Sequence, residues 1–562
     1  MKKTVVLYPG LAVGHLNPMM ELADVFLDHG YAVAVALIDP SVMENEANLA
    51  AAVARAVSSK SSTISFHTLP GIPDPPSLVF NDQFFKNYFD LVRRHNEHLH
   101  DFLRSVRGLH AVVIDASCAH AHEAARKLGV PVLMFYPSNA GHLAVNLQTP
   151  LLVDGFKKHL GGDSTSPVEF LCVRPMSASH LAGLFGPISE VNKDFEAMIF
   201  AGARMNAEFD GILINTSVSL EERALRALAD PRCCPDGVVI PPVYAVGPLV
   251  DKAAAAAGDE SSRHQCLVWL DGQPDRSVVF LCFGSIADAC EQSDQQLKEI
   301  AAGLDKSGHR FLWVVRATST QHLDALLPEV FFARTSGRGL VVNSWVPQPS
   351  ILRHRATAAF VTHCGWNSVL EGITAGVPML CWPLYAEQRM NKVLMVEDMG
   401  VGVEMEGWLE GLVTAEEVET KVRLVMESEH GRKVRERVEA HRDGVAMAWK
   451  DGGSSRVAFA RITAGVPMLC WPLHAEQRMN KEMGVGVEME GWLEGRVTAG
   501  EVEAKVRLVM ESEQGRKLRD RVEAHREATA MAWKDGGSSR AAFAQLLSDI
   551  DDARGKQSSV SV

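Results

Sequence analysis

Two stretches of this chain run from an apolar strand pattern through a glycine turn into a helix, and both carry residues able to do chemistry. In "TVVLYPGLAVGHLNP", His15 follows a turn containing Pro9, Gly10 and Gly14. An imidazole at the mouth of a sheet titrates near neutral pH, so it can take the proton of a weak oxygen nucleophile such as an alcohol. A histidine bonding a backbone group at a helix start is the plain alternative; the loop and strand around it favour a catalytic base. In "AAFVTHCGWNSVLEG", the strand ends near His363 and a helix opens after Gly365, at Trp366. The first N–H groups of a helix lack intrahelical partners and carry the positive end of its dipole. With Asn367 and Ser368 beside them, and His363 as a further donor, they make an anion site suited to a diphosphate. Glu371, one turn further, can accept hydrogen bonds from sugar hydroxyls. Upstream, Trp345 offers a flat face for a base and Gln348 can read its edge. Singly, Trp345 would be core and Glu371 a solvated helix face; their joint spacing points to a nucleotide site.

Something must hold these loops at one place. Short apolar runs recur, each followed by a turn and a helical pattern: "TVVLYPG", "YAVAVALID", "AVVIDAS", "PVLMFYPS" and "GILINTS", then "SVVFLCFGS", "RFLWVVR", "GLVVNSW", "AAFVTHCG" and "VPMLCWP". Runs apolar on both faces and alternating with helices predict parallel sheets covered on both sides, a doubly wound α/β fold formed twice. The polar, small-residue stretch 251–265 reads as a linker between an N-terminal domain, 1–250, and a C-terminal domain, 266–460. A chain of 562 residues is long enough for both cores.

Composition narrows the partners. The net charge of −13 and the lack of a basic, aromatic-interleaved run argue against nucleic acid. No apolar run approaches the roughly 20 residues that span a bilayer, so no stable membrane insertion is expected. The apolar N-terminal run is broken too early for a signal peptide. Ten cysteines without metal-type spacing predict reduced thiols and a cytoplasmic protein; a monomer is the expected state. No metal-binding DxD follows a core strand, and "DID" at Asp549–Asp551 lies in an acidic tail read as inert.

The segment from Trp345 to Gln388, with "HCGWNS", "GVPM" and "WPLYAEQ", closely resembles the signature box of plant secondary-product UDP-glycosyltransferases. The likeness extends through "VVFLCFGS", "SGHRFLWVVR" and "PGLAVGHLNP". It implies a GT-B fold, two Rossmann-like domains facing across a cleft, with a UDP-sugar as co-substrate and no metal or other cofactor. By resemblance, Trp345, Val346, Gln348, His363, Gly365, Asn367, Ser368, Glu371 and Ser285 contact the nucleotide. Ser138, Trp366, Glu387 and Gln388 match positions that hold the sugar, and Gln388 favours glucose. Asp115, ending "AVVID", resembles the partner aspartate of the histidine base. Ala358 departs from the family's frequent glycine. The expected acceptor is a small lipophilic alcohol or phenol, with a leaning toward flavonoids, and Pro70–Phe80 and Leu181–Phe200 are candidate walls. A nicotinamide-dependent oxidoreductase is disfavoured, because "GLAVGH" lacks a third glycine in register.

Residues 373–460 recur at 462–544 with about a dozen substitutions and one five-residue gap. The copies agree even at surface positions, which fits a segmental duplication better than a stacked structural repeat. The second copy carries Glu476 and Gln477 but is preceded by "RVAFAR", with no phosphate loop. Reaching the single sheet position for "VPMLCW" from there would close a loop of about ninety residues, on the order of 4 kcal/mol, so the first copy is expected to fill it. The sequence leaves open which copy supplies the last helix, and whether the duplication leaves a UDP-sugar binder without turnover. A surplus copy exposes apolar surface such as Val466–Trp471. The full chain should therefore be less soluble than a version lacking 461–544; equal yield and equal melting of the two would contradict this.

Overall fold

The strands form where the apolar runs are densest. The computed structural model describes residues 2–463 except 44–46, 80–82, 153–166, 182–183, 185–192, 252–263, 286–291, 316–326, 328 and 451. The duplicate beyond Thr463 with its Glu476 and Gln477, the acidic tail, Phe80, most of the linker and much of Leu181–Phe200 lie outside the described residues.

The first half holds β1 (Thr4–Tyr8), β2 (Ala32–Leu37), β3 (Ile64–Thr68), β4 (Leu109–Asp115) and β5 (Val132–Tyr136). A short antiparallel pair, β6 (Pro167–Val168) and β7 (Met176–Ser177), precedes β8 (Gly211–Ile214) and β9 (Val243–Ala245). The main sheet runs β3-β2-β1-β4-β5-β8-β9, parallel throughout. The second half holds β10 (Val278–Cys282), β11 (Arg310–Val314), β12 (Gly339–Val342), β13 (Thr357–Thr362), β14 (Met379–Cys381) and β15 (Gly402–Glu404). They form a parallel sheet in the order β12-β11-β10-β13-β14-β15. Central strands β1, β5, β10 and β13 are buried from end to end, because helices cover both faces. The ten expected strands are all present. Besides the pair β6 and β7, the additional strands β3, β9 and β15 are short or carry polar residues, as in "ISFHT" and "GVE", so their apolar signal is weak.

Strand order reverses between β1 and β4 in the first sheet and between β10 and β13 in the second. Chains leaving such neighbours go to opposite faces and open a crevice at the strand ends. His15 follows β1 and Asp115 ends β4; Ser285 follows β10 and His363 follows β13. The residues singled out in the sequence therefore sit at the two switch points.

Met379–Cys381 of the first copy fills the position beside β13. Its helix Gln388–Val393 continues into a turn, Leu394–Asp398, that buries Leu394 and Met395. Beyond the long helix Glu429–Ala448, the helix Ser454–Thr463 crosses back onto the N-terminal domain. There Phe459 is wholly buried, its ring 4.8 Å from Phe26 and 4.6 Å from His29, while the Ser455 hydroxyl donates to the Gly247 carbonyl. The first copy thus supplies the returning helix. No described helix is long and apolar enough to cross a membrane, and the eight described cysteines form no disulfide with one another. Removing a buried aromatic ring costs about 3–5 kcal/mol. Phe459→Ala should lower unfolding stability by that amount in urea titration, and a midpoint equal to wild type would show that this docking carries no stability.

Candidate active site

The helix Val13–Asp28 starts without a side-chain cap, and His15 lies in its first turn. The His15 Nδ1 lies 2.8 Å from Asp115 Oδ1. The carboxylate is fully buried, whereas the histidine side chain is 34% exposed. Asp115 Oδ1 also accepts from the Ser117 N–H at 2.8 Å and the Ser117 hydroxyl at 2.6 Å. Tyr88 Oη lies 3.2 Å from Ser117 Oγ and accepts from the Leu11 N–H at 2.9 Å, tying the β1 loop to the same cluster. Gly10 makes the approach possible: a Cβ there would sit 2.3 Å from Ser117 Oγ and 3.1 Å from His15 Nδ1. Sequence reasoning missed Ser117 and Tyr88; the "DAS" turn after β4 is a weak signal for the first, and nothing local marks the second.

With Nδ1 donating to the carboxylate, Nε2 is left as the proton acceptor. Burial pushes the His15 pKa down, but the Asp115 charge and hydrogen bond and the Glu387 charge push it up, and the net direction is upward.

At the facing switch point, the helix Trp366–Ala375 opens at Gly365 with no side-chain cap, so its first N–H groups have no side-chain partner of its own. Cys364 adopts the left-handed region at φ 65° and Gly284 lies at φ 105°. His363 packs between two glycines: a Cβ on Gly284 would come within 2.8 Å of its Nε2, and one on Gly365 within 2.5 Å. Burial holds its pKa down at about 4, so the ring is neutral at pH 7. Its Nδ1 is buried without a partner among the described residues.

Several side chains differ from their expected roles. The Trp366 indole is buried, and its single N–H donates to the Asn215 carbonyl at 2.7 Å. It therefore cannot hold a sugar hydroxyl through its side chain; it fastens the helix to the loop after β8. Asn367 reaches across the cleft, Nδ2 donating to the Gly14 carbonyl and Oδ1 accepting from Asn215 at 3.4 Å. Gln348 Nε2 donates to Ser368 Oγ at 2.9 Å and Glu371 Oε2 at 2.8 Å, which leaves only Oε1 for a base edge. Burial raises the Glu371 carboxyl to about 7, against the Gln348 hydrogen bond. Val346 buries its side chain, so only its main chain can meet a base. Trp345 is 38% exposed and the Arg55 guanidinium stacks 4.0 Å above its ring. From the same helix, Ala47–Lys60, Asn48 donates to the Ser285 carbonyl at 3.0 Å. Ala358 is buried.

The final loop closes the cleft. Ser138 donates to Glu387 Oε1 at 3.2 Å, and Asn139 Nδ2 donates to Asn391 Oδ1 at 2.6 Å. Gln388 is buried; its Oε1 accepts from the Leu384 and Tyr385 N–H groups at 2.9 and 3.0 Å, leaving Nε2 to donate. The two sheets thus bring a buried-carboxylate histidine, a helix N-terminus and a carboxylate–amide pair to one cleft. Among the described residues, no cluster of three His, Cys, Asp or Glu could hold a metal ion.

Comparison with known proteins places this geometry. The family described as UDP-glucoronosyl and UDP-glucosyl transferase matches residues 244–444. The chain is 38% identical to UDP-glycosyltransferase 88B1 of Stevia rebaudiana over 82% of its own length and 98% of that protein. It is 36% identical to an anthocyanidin 5,3-O-glucosyltransferase of a Rosa hybrid cultivar, again over 82% and 98%. Among solved structures, UGT2 of Phytolacca americana complexed with UDP-2fluoro-glucose and pterostilbene matches with a TM-score of 0.69 and 29% identity, covering 83% of this chain and all of that one. UGT71G1 of Medicago truncatula complexed with UDP-glucose matches at 0.68 and 28%, covering 82% and 97%.

The dyad generates a direct test. Asparagine at position 115 keeps the hydrogen bond's shape and loses its charge, so burial then dominates at His15. Asp115→Asn should lower the His15 pKa in an NMR titration of the ring protons; an unchanged pKa would show that the carboxylate does not hold the imidazolium.

Proposed function

Because the chain belongs to the plant UDP-glycosyltransferase family and is a UDP-sugar-dependent transferase of the GT-B fold, we propose that it moves glucose from UDP-glucose to a hydroxyl of a small lipophilic phenol with inversion. The observation that carries this reading is His15, held by Asp115 through Nδ1, on the same cleft as Asn367 and Glu387.

The acceptor hydroxyl gives its proton to His15 Nε2 as its oxygen attacks the anomeric carbon. The bond from that carbon to the phosphate oxygen breaks, and UDP departs with the electron pair. Asp115 stabilises the imidazolium that results. Negative charge growing on the leaving phosphate meets the N–H groups that open Trp366–Ala375, with His363 beside them, and these fixed dipoles need no reorganisation. Trp345 and the Oε1 of Gln348 take the base, Ser285 and Ser368 line the phosphate loop, and Glu371 takes the ribose. Ser138, Glu387 and the free Nε2 of Gln388 hold the hexose. One displacement from the face opposite the leaving group inverts the anomeric centre.

Relatives named for anthocyanidin and phloretin glucosylation support a flavonoid or related phenol as acceptor. The relatives' near-complete length is spanned by 82% of this chain. The remainder, about a hundred residues, has the size of the second copy plus tail, which supports the reading that 461–544 is surplus to catalysis.

The test is UDP release with a panel of phenols. His15→Ala should lower kcat/KM by about 10²–10⁴ while UDP-glucose binding survives. A base needs its neutral form, so the raised His15 pKa sets the acid limb of kcat/KM above the ordinary histidine value, and Asp115→Asn moves it down. Undiminished transfer by His15→Ala would refute the mechanism. Binding of UDP-glucose by the wild type without turnover would instead identify a binder disabled by the duplication.

A further inference from the structure

The helix after β5, Ala140–Gln148, buries seven of its nine residues. The two left partly open, His142 and Asn146, are one turn apart and share a face. Tyr136 at the end of β5 completes a closed polar triangle with them. Tyr136 Oη lies 2.9 Å from His142 Nδ1, and Asn146 Nδ2 lies 3.2 Å from both Tyr136 Oη and His142 Nε2. Asn146 Oδ1 is buried without a partner among the described residues. A helix that is otherwise core does not need this arrangement for packing, and each polar group adds a desolvation penalty unless satisfied.

The cluster stands on the acceptor side of the cleft. Ser138, two residues after Tyr136, bonds Glu387 on the opposite wall. The Glu387 charge acts on Tyr136 and His142 as it acts on His15, so all three rings lie within reach of one carboxylate. Burial pushes the His142 pKa down, which keeps its ring neutral near pH 7, and a neutral imidazole can both donate and accept.

We propose that Tyr136, His142 and Asn146 recognise a second polar group on the acceptor, a phenolic hydroxyl or ketone carbonyl remote from the hydroxyl that receives the sugar. The enzyme then selects polyphenols over monophenols of the same skeleton, because a phenol lacking that group leaves buried donors and acceptors unmatched. This rests on the transferase reading above and deepens it by naming a feature of its substrate.

The experiment compares 4,4′-dihydroxystilbene with 4-hydroxystilbene, with UDP release as readout. In the wild type, kcat/KM should favour the dihydroxy compound. In His142→Phe and in Asn146→Leu, the ratio of the two kcat/KM values should fall about tenfold, carried by KM, and His142→Gln should restore most of it. Because the readout is a ratio within one protein, partial loss of folded enzyme cancels. An unchanged ratio in both apolar variants, with transfer to both stilbenes, overturns this inference alone. A wild type that binds UDP-glucose and transfers to neither stilbene overturns the transferase reading and this inference with it.

Discussion

The site depends on one hydrogen bond that crosses the cleft, from the Asn367 amide to the Gly14 carbonyl. Asn367 is the second residue of the helix Trp366–Ala375, and Gly14 immediately precedes His15. A Cβ on Gly14 would sit 3.2 Å from that amide, so the approach is nearly as close as the backbone allows. Three more bonds cross between neighbouring segments: Trp366 to the Asn215 carbonyl after β8, and Asn139 to Asn391 and Ser138 to Glu387 from the loop after β5. A proton acceptor and a leaving-group site on different domains work together only within fractions of an ångström. Here polar bonds between loops act together with apolar side chains that cross over: Met390, Val393 and Phe459 pack into the first core and Leu220 into the second.

Two histidines at equivalent switch points show how environment assigns roles. His15 meets a buried carboxylate and the charge of Glu387, which together outweigh burial and raise its pKa. His363 is buried between Gly284 and Gly365 with no such partner, and its pKa falls to about 4. The first can exchange a proton near neutral pH. The second stays neutral and can only donate or accept a hydrogen bond. Behind His15, Ser117 and Tyr88 hold Asp115 and the β1 loop in one cluster.

Much of this architecture was legible in the chain. Ten apolar runs became strands because parallel sheets covered on both faces need continuous hydrophobic segments, and His15, Asp115 and the helix after His363 fell at strand ends. What stayed hidden was partnership over long sequence distances. Trp366 matches a sugar-holding position by resemblance, but its only side-chain N–H goes to Asn215, some 150 residues earlier in the chain. Gln348 reads as a base contact until folding places Ser368 and Glu371 beside its amide. Edge strands β3 and β15 were silent because a sheet's rim tolerates polar residues. The repeat of 373–460 at 462–544 was visible at once, whereas the docking of the first copy's Phe459 against Phe26 was not.

If a proton acceptor from the first sheet and a diphosphate cradle from the second enclose a single hexose, a crystal structure with UDP-glucose bound will show it. The diphosphate should lie on the N–H groups opening Trp366–Ala375, with the anomeric carbon turned toward His15 Nε2 and space between them for one acceptor oxygen. A nucleotide seated elsewhere, or a hexose whose anomeric carbon faces away from that ring, would contradict it.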